Sequence, residues 1–213
     1  MWNDAFQAKF FPADLQSKPF GRAEFDQLLG PYAAVADMPP VCFGPDLIQA
    51  YPEAKVILVE RDVESWYKSY HDVVIEYTFY PLANLLAWLE PEFVGPNVRN
   101  MHTIARAYFR ANTKEEYSAN ARSVYQKHYR EIRRVTPKEK LLEFDLKQGW
   151  GPLCEFLERP VPEVPFPRAN DRKMDVELRN IIQTRIRRKL FRKMVIVLSA
   201  LGLLAWSIRY IFS

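Results

Sequence analysis

Glycine and cysteine are both scarce in this sequence. The few cysteines argue against a disulfide-rich protein, and the few glycines leave little material for a glycine-rich loop. The 213 residues include 7 glycines and 2 cysteines. Cys42 and Cys154 lie far apart and match neither a metal-ligand spacing nor a disulfide framework, so we expect buried thiols in a reducing compartment. No basic start followed by an apolar stretch precedes Trp2, so we expect no secretory signal peptide.

The sequence also has little excess charge. Its 30 basic and 26 acidic residues give a formal net charge of +4, and six of the basic residues lie between Arg185 and Lys193. Nucleic-acid binding requires a basic face on the folded body, which the sequence does not indicate, so we expect no nucleic-acid partner. In contrast, 48% of the residues are hydrophobic and 14% are aromatic. That content excludes a globally disordered chain.

The most informative stretch runs from Ala54 to Ser69. Residues 56–59 form a continuous apolar run, which predicts a parallel strand covered on both faces. Asp62 suits a helix N-cap, so Arg61 follows the carboxyl end of the strand and Ser69 lies in the first turns of the helix. Ligands of open α/β sheets bind at that edge.

A guanidinium and a hydroxyl at this edge can bind one phosphate, with help from the amides of the helix start. The alternative is that Arg61 only pairs with a surface carboxylate and that Ser69 is only solvated. The sequence pattern leaves both interpretations open.

The strand, Arg61 and Ser69 together resemble the 3′-phosphate-binding segment of sulfotransferases that use PAPS (3′-phosphoadenosine 5′-phosphosulfate). Three further segments agree with the fungal-rich branch called sulfotransferase-like P-loop proteins: residues 36–40, residues 141–145 together with 149–157, and residues 165–170. The resemblance covers residues 1–172. It implies an α/β fold with a P-loop-type parallel sheet flanked by helices. It also implies that Arg61 and Ser69 bind the 3′-phosphate of PAPS, and that Arg168 is a further phosphate contact.

The resemblance also points to a catalytic base. In cytosolic sulfotransferases, a His two residues before a Pro takes the proton of the acceptor hydroxyl. Asp37 stands at that position, two residues before Pro39, and is therefore the candidate base. The alternative is that Asp37 only caps the turn into Pro39. The Arg-Lys-Gly pattern of the family is absent around Arg168, and no metal site is expected.

One family feature is missing from the sequence. Sulfotransferases of this kind begin with a strand and a glycine-rich loop whose amides hold the 5′-phosphosulfate. None of the 7 glycines lies in such a context. We therefore expect a sheet without its first strand and phosphate loop, in a truncated gene product or in a degenerate relative. An exposed strand edge is costly, so a protein partner or an oligomer is expected to complete the sheet.

Residues 194–213 form a long apolar segment. As a helix they would reach about 30 Å, the thickness of a bilayer core. The basic residues before the segment favour a cytosolic flank. We expect residues 173–193 to be a charged helical linker and residues 194–213 to be a C-terminal transmembrane anchor. The body would be cytosolic, with the anchor in the membrane of the endoplasmic reticulum. The alternative is a helix packed on the surface of the body.

Periodicity adds further predictions about the elements. Strands are predicted at residues 33–36, 56–59 and 141–144, and a long helix is predicted at residues 113–134. The family resemblance implies that the first two strands are neighbours. Residues 81–95 are predicted to form an insertion or a lid between helices on the substrate side.

Three functions stay open at this stage. The first is a membrane-anchored sulfotransferase for a small hydroxyl-bearing molecule, impaired by loss of the phosphate loop. The second is a nucleotide-binding or scaffolding relative without catalysis. The third is a purely structural membrane protein.

Overall fold

The structure is a computed structural model. It describes residues 2–12, 20–92 and 94–167, and in the C-terminal part only residues 184, 187–188, 191–195 and 199. The chain divides into two compact units, Met1–Pro162 and Glu163–Ser213. Among the described residues, both strands belong to the first unit.

Short helices open the first unit and surround an aromatic cluster. They are α1 (Trp2–Phe10), α2 (Arg22–Leu29), a 3₁₀ turn (Pro40–Phe43) and α3 (Gly44–Ala50). The rings of Phe6, Phe25 and Phe43 are fully buried. Phe43 meets the other two nearly edge to face, with ring centroids 5.1 and 6.0 Å apart. Edge-to-face pairs add to the stabilisation from burial, so this cluster ties the first helices together.

A strand and a continuous helical stretch follow. They are β1 (Val56–Leu58), α4 (Val63–Tyr70), a π-helical turn (His71–Ile75) and α5 (Glu76–Thr78). Next come α6 (Pro81–Leu89) and α7 (Gly95–Ala107), so the segment predicted as a lid contains a helix.

Helix α8 (Lys114–Val135) is the longest helix that the structure describes. The side chain of Thr113 caps it by accepting a hydrogen bond from the Glu116 amide. Acidic residues in its first turn and basic residues in its last turn complement the helix dipole. One face is buried, through Tyr117, Ala121, Tyr125 and Ile132. The predicted helix at 113–134 is confirmed.

The chain then forms β2 (Leu141–Glu143) and α9 (Trp150–Leu157). Strands β1 and β2 pair in parallel, with Val56 opposite Leu141. The amide of Phe144 donates to the Leu58 carbonyl at 3.0 Å and extends the pairing by one residue. The result is a mixed α/β fold, with a small parallel sheet flanked by helices.

The predicted strand at residues 33–36 is wrong, and so is its predicted pairing with β1. The segment is irregular and exposed, and β1 pairs instead with β2. Short Ala-rich segments have weak strand propensity and become strands only when a neighbour completes the ladder. No such neighbour lies beside the segment among the described residues.

Most of the predicted linker and anchor lies outside the described residues. The positions that are described at 184, 187–188, 191–195 and 199 are helical. In the part of the chain that the structure describes, no helix has the length and apolar character needed to cross a membrane.

Candidate functional site

The candidate site begins where β1 ends and α4 starts. Asp62 is the N-cap residue of α4, and its side chain accepts a hydrogen bond from the Ser65 amide at 2.9 Å. This bond lowers the pKa of Asp62, because the amide favours the ionised carboxylate. The sequence prediction of a cap at Asp62 is confirmed.

The backbone of Arg61 is held by a tyrosine from α8. The Tyr125 hydroxyl accepts a hydrogen bond from the Arg61 amide and donates one to the Arg61 carbonyl, both at 2.9 Å. One helical turn later, the Tyr129 hydroxyl donates to the Val59 carbonyl at 2.7 Å. Two tyrosines thus satisfy the backbone of the segment that leaves β1. Helical periodicity predicts the helix that carries Tyr125 and contains no signal for the contacts of its hydroxyl.

The side chain of Arg61 is exposed, in contrast to its backbone. Within the described residues it forms no hydrogen bond and no ion pair. Ser69 is also exposed and likewise forms no side-chain hydrogen bond there. From the cap at Asp62 to Ser69 the helix rises about 10 Å. Arg61 and Ser69 therefore sit at the start and in the second turn of one helix, and both side chains are accessible to a ligand.

Two other arginines near this edge already form ion pairs with carboxylates of the fold. Arg133 on α8 pairs with Glu60 and with Glu143, and so ties the ends of both strands together. Arg122 forms a two-pronged contact with Glu64, with both bonds 2.7 Å long. Its guanidinium also lies 3.4 Å from the ring centroid of Tyr67. These contacts hold the architecture of the edge, and the sequence did not predict them.

The helix-start amides contribute less than the sequence suggested. Asp62 already occupies the Ser65 amide with a carboxylate. A second carboxylate, that of Glu64, lies in the same first turn, where Arg122 neutralises it. The negative charge of Asp62 would therefore repel an incoming anion. The attraction between the anion and this edge must come mainly from the Arg61 guanidinium.

Asp37 lies in a turn with φ of 64°, in the left-handed region. Its carboxylate accepts a hydrogen bond from the Met38 amide at 2.7 Å, and its carbonyl accepts one from the Val41 amide. The predicted capping of this turn is thus present, and the exposed carboxylate keeps lone pairs for a second partner.

Burial raises the pKa of Tyr70, the residue after Ser69, far above its ordinary value, and the neighbouring Tyr117 adds to the shift. Within the described residues no hydrogen bond or ion pair joins Asp37, Arg61 and Ser69.

Arg168 lies outside the described residues. The described residues contain no cluster of His, Cys, Asp and Glu suited to a metal ion. A groove of about 480 Å³ lies at the other end of the sheet, lined among others by Ala54 before β1 and Lys140 before β2. Its acidic residues pair with cations, as in the contact of Glu131 with Arg134. Because Ala54 and Lys140 precede the two strands, the groove lies at the amino end of the sheet and is separate from the edge that carries Arg61.

The chain is similar to known proteins of one family. A family model described as a sulfotransferase domain matches residues 1–174. The chain is 38% identical over 169 residues to the "Ava biosynthesis cluster protein M" of Aspergillus versicolor. The aligned region covers 78% of this chain and 64% of that protein, so the chain spans less than two thirds of the relative's length. The chain belongs to the sulfotransferase domain family.

Proposed function

We propose that the protein binds PAPS through its 3′-phosphate and serves the transfer of sulfate to a hydroxyl of a small molecule. The observation that carries the proposal is the state of Arg61. Its backbone is fixed by the Tyr125 hydroxyl, while its guanidinium is exposed and unpaired within the described residues. A positioned cation without a carboxylate partner, at the carboxyl end of a parallel strand, suits a phosphate ligand.

Each site residue has a separate task in this proposal. Arg61 and Ser69 hold the 3′-phosphate and so orient the nucleotide. PAPS supplies the sulfuryl group, whose bond to the bridging oxygen breaks as a bond to the acceptor oxygen forms. Asp37 takes the proton that the acceptor hydroxyl loses. The name of the Aspergillus versicolor relative places that protein in a biosynthesis cluster, which supports a small-molecule acceptor here as well.

A non-catalytic role is the second candidate, and one observation favours it. The 7 glycines of these 213 residues form no glycine-rich phosphate loop. A family member needs such a loop for the 5′-phosphosulfate, whereas the 3′-phosphate contacts are independent of it. Nucleotide binding at Arg61 can therefore persist in these residues without transfer.

The binding experiment is a calorimetric titration of the detergent-solubilised full chain with adenosine 3′,5′-bisphosphate. Loss of a charge-assisted contact in Arg61→Ala should weaken binding by about 1.5–3 kcal/mol, or roughly 10- to 150-fold. Arg130→Ala is the matched control, because Arg130 is an exposed arginine of α8 without a side-chain partner among the described residues. Adenosine 5′-monophosphate is the control ligand, since it lacks the 3′-phosphate. Equal affinity of wild type and Arg61→Ala for the bisphosphate would overturn the proposal.

The transfer experiment separates the two candidates. Labelled sulfate is followed from PAPS to a panel of phenols and alcohols. Loss of a single oxyanion donor lowers rates about 10²–10³-fold, and a missing loop removes several donors. If the protein is an enzyme, we therefore expect slow turnover from these 213 residues, and if it is the non-catalytic relative, we expect nucleotide binding with no turnover. Clear turnover that Asp37→Asn abolishes would support the enzyme and refute the non-catalytic candidate.

We also propose that residues 194–213 anchor the protein in a membrane, with its body in the cytosol. The apolar composition of the segment and the basic residues before it support this. Carbonate extraction of cells that express the full chain should leave it in the pellet, and deletion of residues 194–213 should release it. A full chain found in the supernatant would overturn the anchor.

A further inference from the structure

Helix α4, which carries Ser69, is attached to α8 at two points. At the first point, the Tyr125 hydroxyl binds the backbone of Arg61. At the second point, the hydroxyls of Tyr70 and Tyr117 form a hydrogen bond of 2.8 Å. Tyr117 and Tyr125 lie about two helical turns apart on the buried face of α8. They therefore bracket the segment from Arg61 to Ser69.

The indole of Trp66 joins the two points. It stacks on the Tyr125 ring with centroids 4.1 Å apart, and on the Tyr70 ring with centroids 4.7 Å apart. The interplanar angles are 28° and 22°, so all three rings lie nearly parallel. Rotation of α4 about its own axis would separate Trp66 from Tyr125. The stack therefore fixes that rotation.

Tyr117 is itself held firmly. It lies near the start of α8, which Thr113 caps, and it is 1% exposed. Its ring packs on Phe109 with centroids 4.6 Å apart. Burial raises the pKa of the Tyr117 hydroxyl and that of Tyr70, so neither ionises near neutral pH. The pair is thus suited to positioning and not to proton transfer.

The helix changes its winding immediately after Tyr70. The π-helical turn His71–Ile75 contains one residue more than an α-helical turn. In an uninterrupted α-helix, Ile75 would lie about 140° around the axis from Tyr70. The wider turn brings Ile75 back to the inner side, where it is fully buried in the core on which Tyr70 packs. Such turns occur frequently at functional sites.

We propose that Tyr117 and Trp66 are positioning residues for the phosphate site. They set the rotation of α4, and with it the direction of the Ser69 hydroxyl relative to the Arg61 guanidinium. The inference rests on the proposed function, because it takes Arg61 and Ser69 to bind one phosphate. Ser69 lies about 10 Å along the helix from its start, so the two side chains converge on one anion only over a narrow range of rotations. Binding groups of this kind must be held to within about 0.5 Å.

The test compares Tyr117→Phe with Tyr108→Phe in the detergent-solubilised full chain. Each variant removes one hydroxyl hydrogen bond between helices. The control loses the bond of 2.9 Å from Tyr108 to His128, which joins the end of α7 to α8 and does not involve α4. Calorimetry measures the affinities for adenosine 3′,5′-bisphosphate and adenosine 5′-monophosphate. Their ratio isolates the contribution of the 3′-phosphate, and a general loss of stability does not change it because both ligands are affected equally.

We expect Tyr117→Phe to lower this ratio about 2- to 10-fold, the equivalent of one hydrogen bond, and Tyr108→Phe to leave it unchanged. Trp66→Leu is a second variant, which keeps the hydroxyl pair and removes the stacked ring, and it should also lower the ratio. In a Ser69→Ala background, Tyr117→Phe should have no further effect, since the hydroxyl that it positions is gone. Near-ultraviolet circular dichroism confirms that each variant is folded.

Three outcomes would contradict the inference. A wild-type ratio in both Tyr117→Phe and Trp66→Leu would overturn it and leave the proposed function intact. An equal effect of Tyr117→Phe with and without the Ser69 hydroxyl would overturn it as well, because Tyr117 would then not act through Ser69. A wild type that binds the bisphosphate no better than the monophosphate would overturn the proposed function and this inference together.

Discussion

Two arginines at the carboxyl end of the sheet differ in what they contact. Arg133 pairs with Glu60 and Glu143, the carboxylates at the ends of the two strands. Arg61 has a fixed backbone and an exposed guanidinium without a carboxylate partner among the described residues. The charge of Arg133 is neutralised by these carboxylates, whereas no described carboxylate neutralises that of Arg61, and we propose that a ligand does so. The location of a cation therefore does not define a binding site by itself, because its charge can already be neutralised by neighbouring carboxylates.

The largest effect that tests this comparison is expected from Tyr125→Phe. The variant removes both hydrogen bonds to the Arg61 backbone, and we expect a loss of about 1–3 kcal/mol in the free energy of unfolding. Affinity for adenosine 3′,5′-bisphosphate should also fall, because Arg61 is no longer positioned. Urea unfolding and calorimetry measure the two quantities.

Tyr129→Phe is the matched control for that variant. It removes one hydrogen bond, to Val59, and none to Arg61. We expect a smaller loss of stability, about 0.5–1.5 kcal/mol, and an unchanged affinity. If both variants lower affinity equally, Tyr125 does not act through Arg61.

The next effect is expected from Arg133→Met. Its ion pairs are partly exposed and solvent weakens them, so we expect a loss of about 1 kcal/mol in the free energy of unfolding. Affinity for the nucleotide should be unchanged, since the charge of Arg133 is already neutralised by Glu60 and Glu143. A loss of affinity as large as that of Arg61→Ala would remove the distinction between the two arginines.

The pH dependence of stability and of nucleotide affinity should also distinguish Arg133 from Arg61, with smaller effects than the substitutions above. The hydrogen bonds from Arg133 hold the pKa of Glu143 below its ordinary 4.5. The stability from this pair is therefore fully present above pH 4.5 and is lost as the pH falls through the lowered pKa. The difference in stability between wild type and Arg133→Met should shrink in that range.

Nucleotide affinity should respond at a higher pH. A phosphate monoester takes up its second proton near pH ~6, so binding at Arg61 should weaken below that value while the fold is still intact. Coincident losses of affinity and stability would contradict the separation of the two sites.

The smallest effect is expected from Asp37→Asn. The amide oxygen of Asn still accepts the hydrogen bond from Met38, and Asn tolerates the positive φ at this position. Stability should change by less than about 0.5 kcal/mol. Thermal unfolding checks this, and a larger loss would show that the charge of Asp37 is structural.

Much of the edge that carries Arg61 was predictable, because its signals are local. An apolar run, a helix cap and a serine eight residues after Arg61 lie within one short stretch, so chain geometry alone places them on one strand and one helix. The same applies to α8, whose buried residues recur with helical period. The roles of Tyr125 and Arg133 were not predictable, since each contacts a residue far away in the sequence.

The sequence alone determined the family, the strand β1 with Arg61 at its end, and the long amphipathic helix α8, because periodicity and capping act within a few residues. Only the tertiary structure decided that β1 pairs with β2 and that residues 33–36 form no strand, because a strand is stable only when a neighbouring strand completes its backbone hydrogen bonds. Only the tertiary structure decided, too, that α6 turns its leucines and Trp88 outward. That rotation is held by the hydrogen bonds of Asn84, including its contact with His102 on another helix.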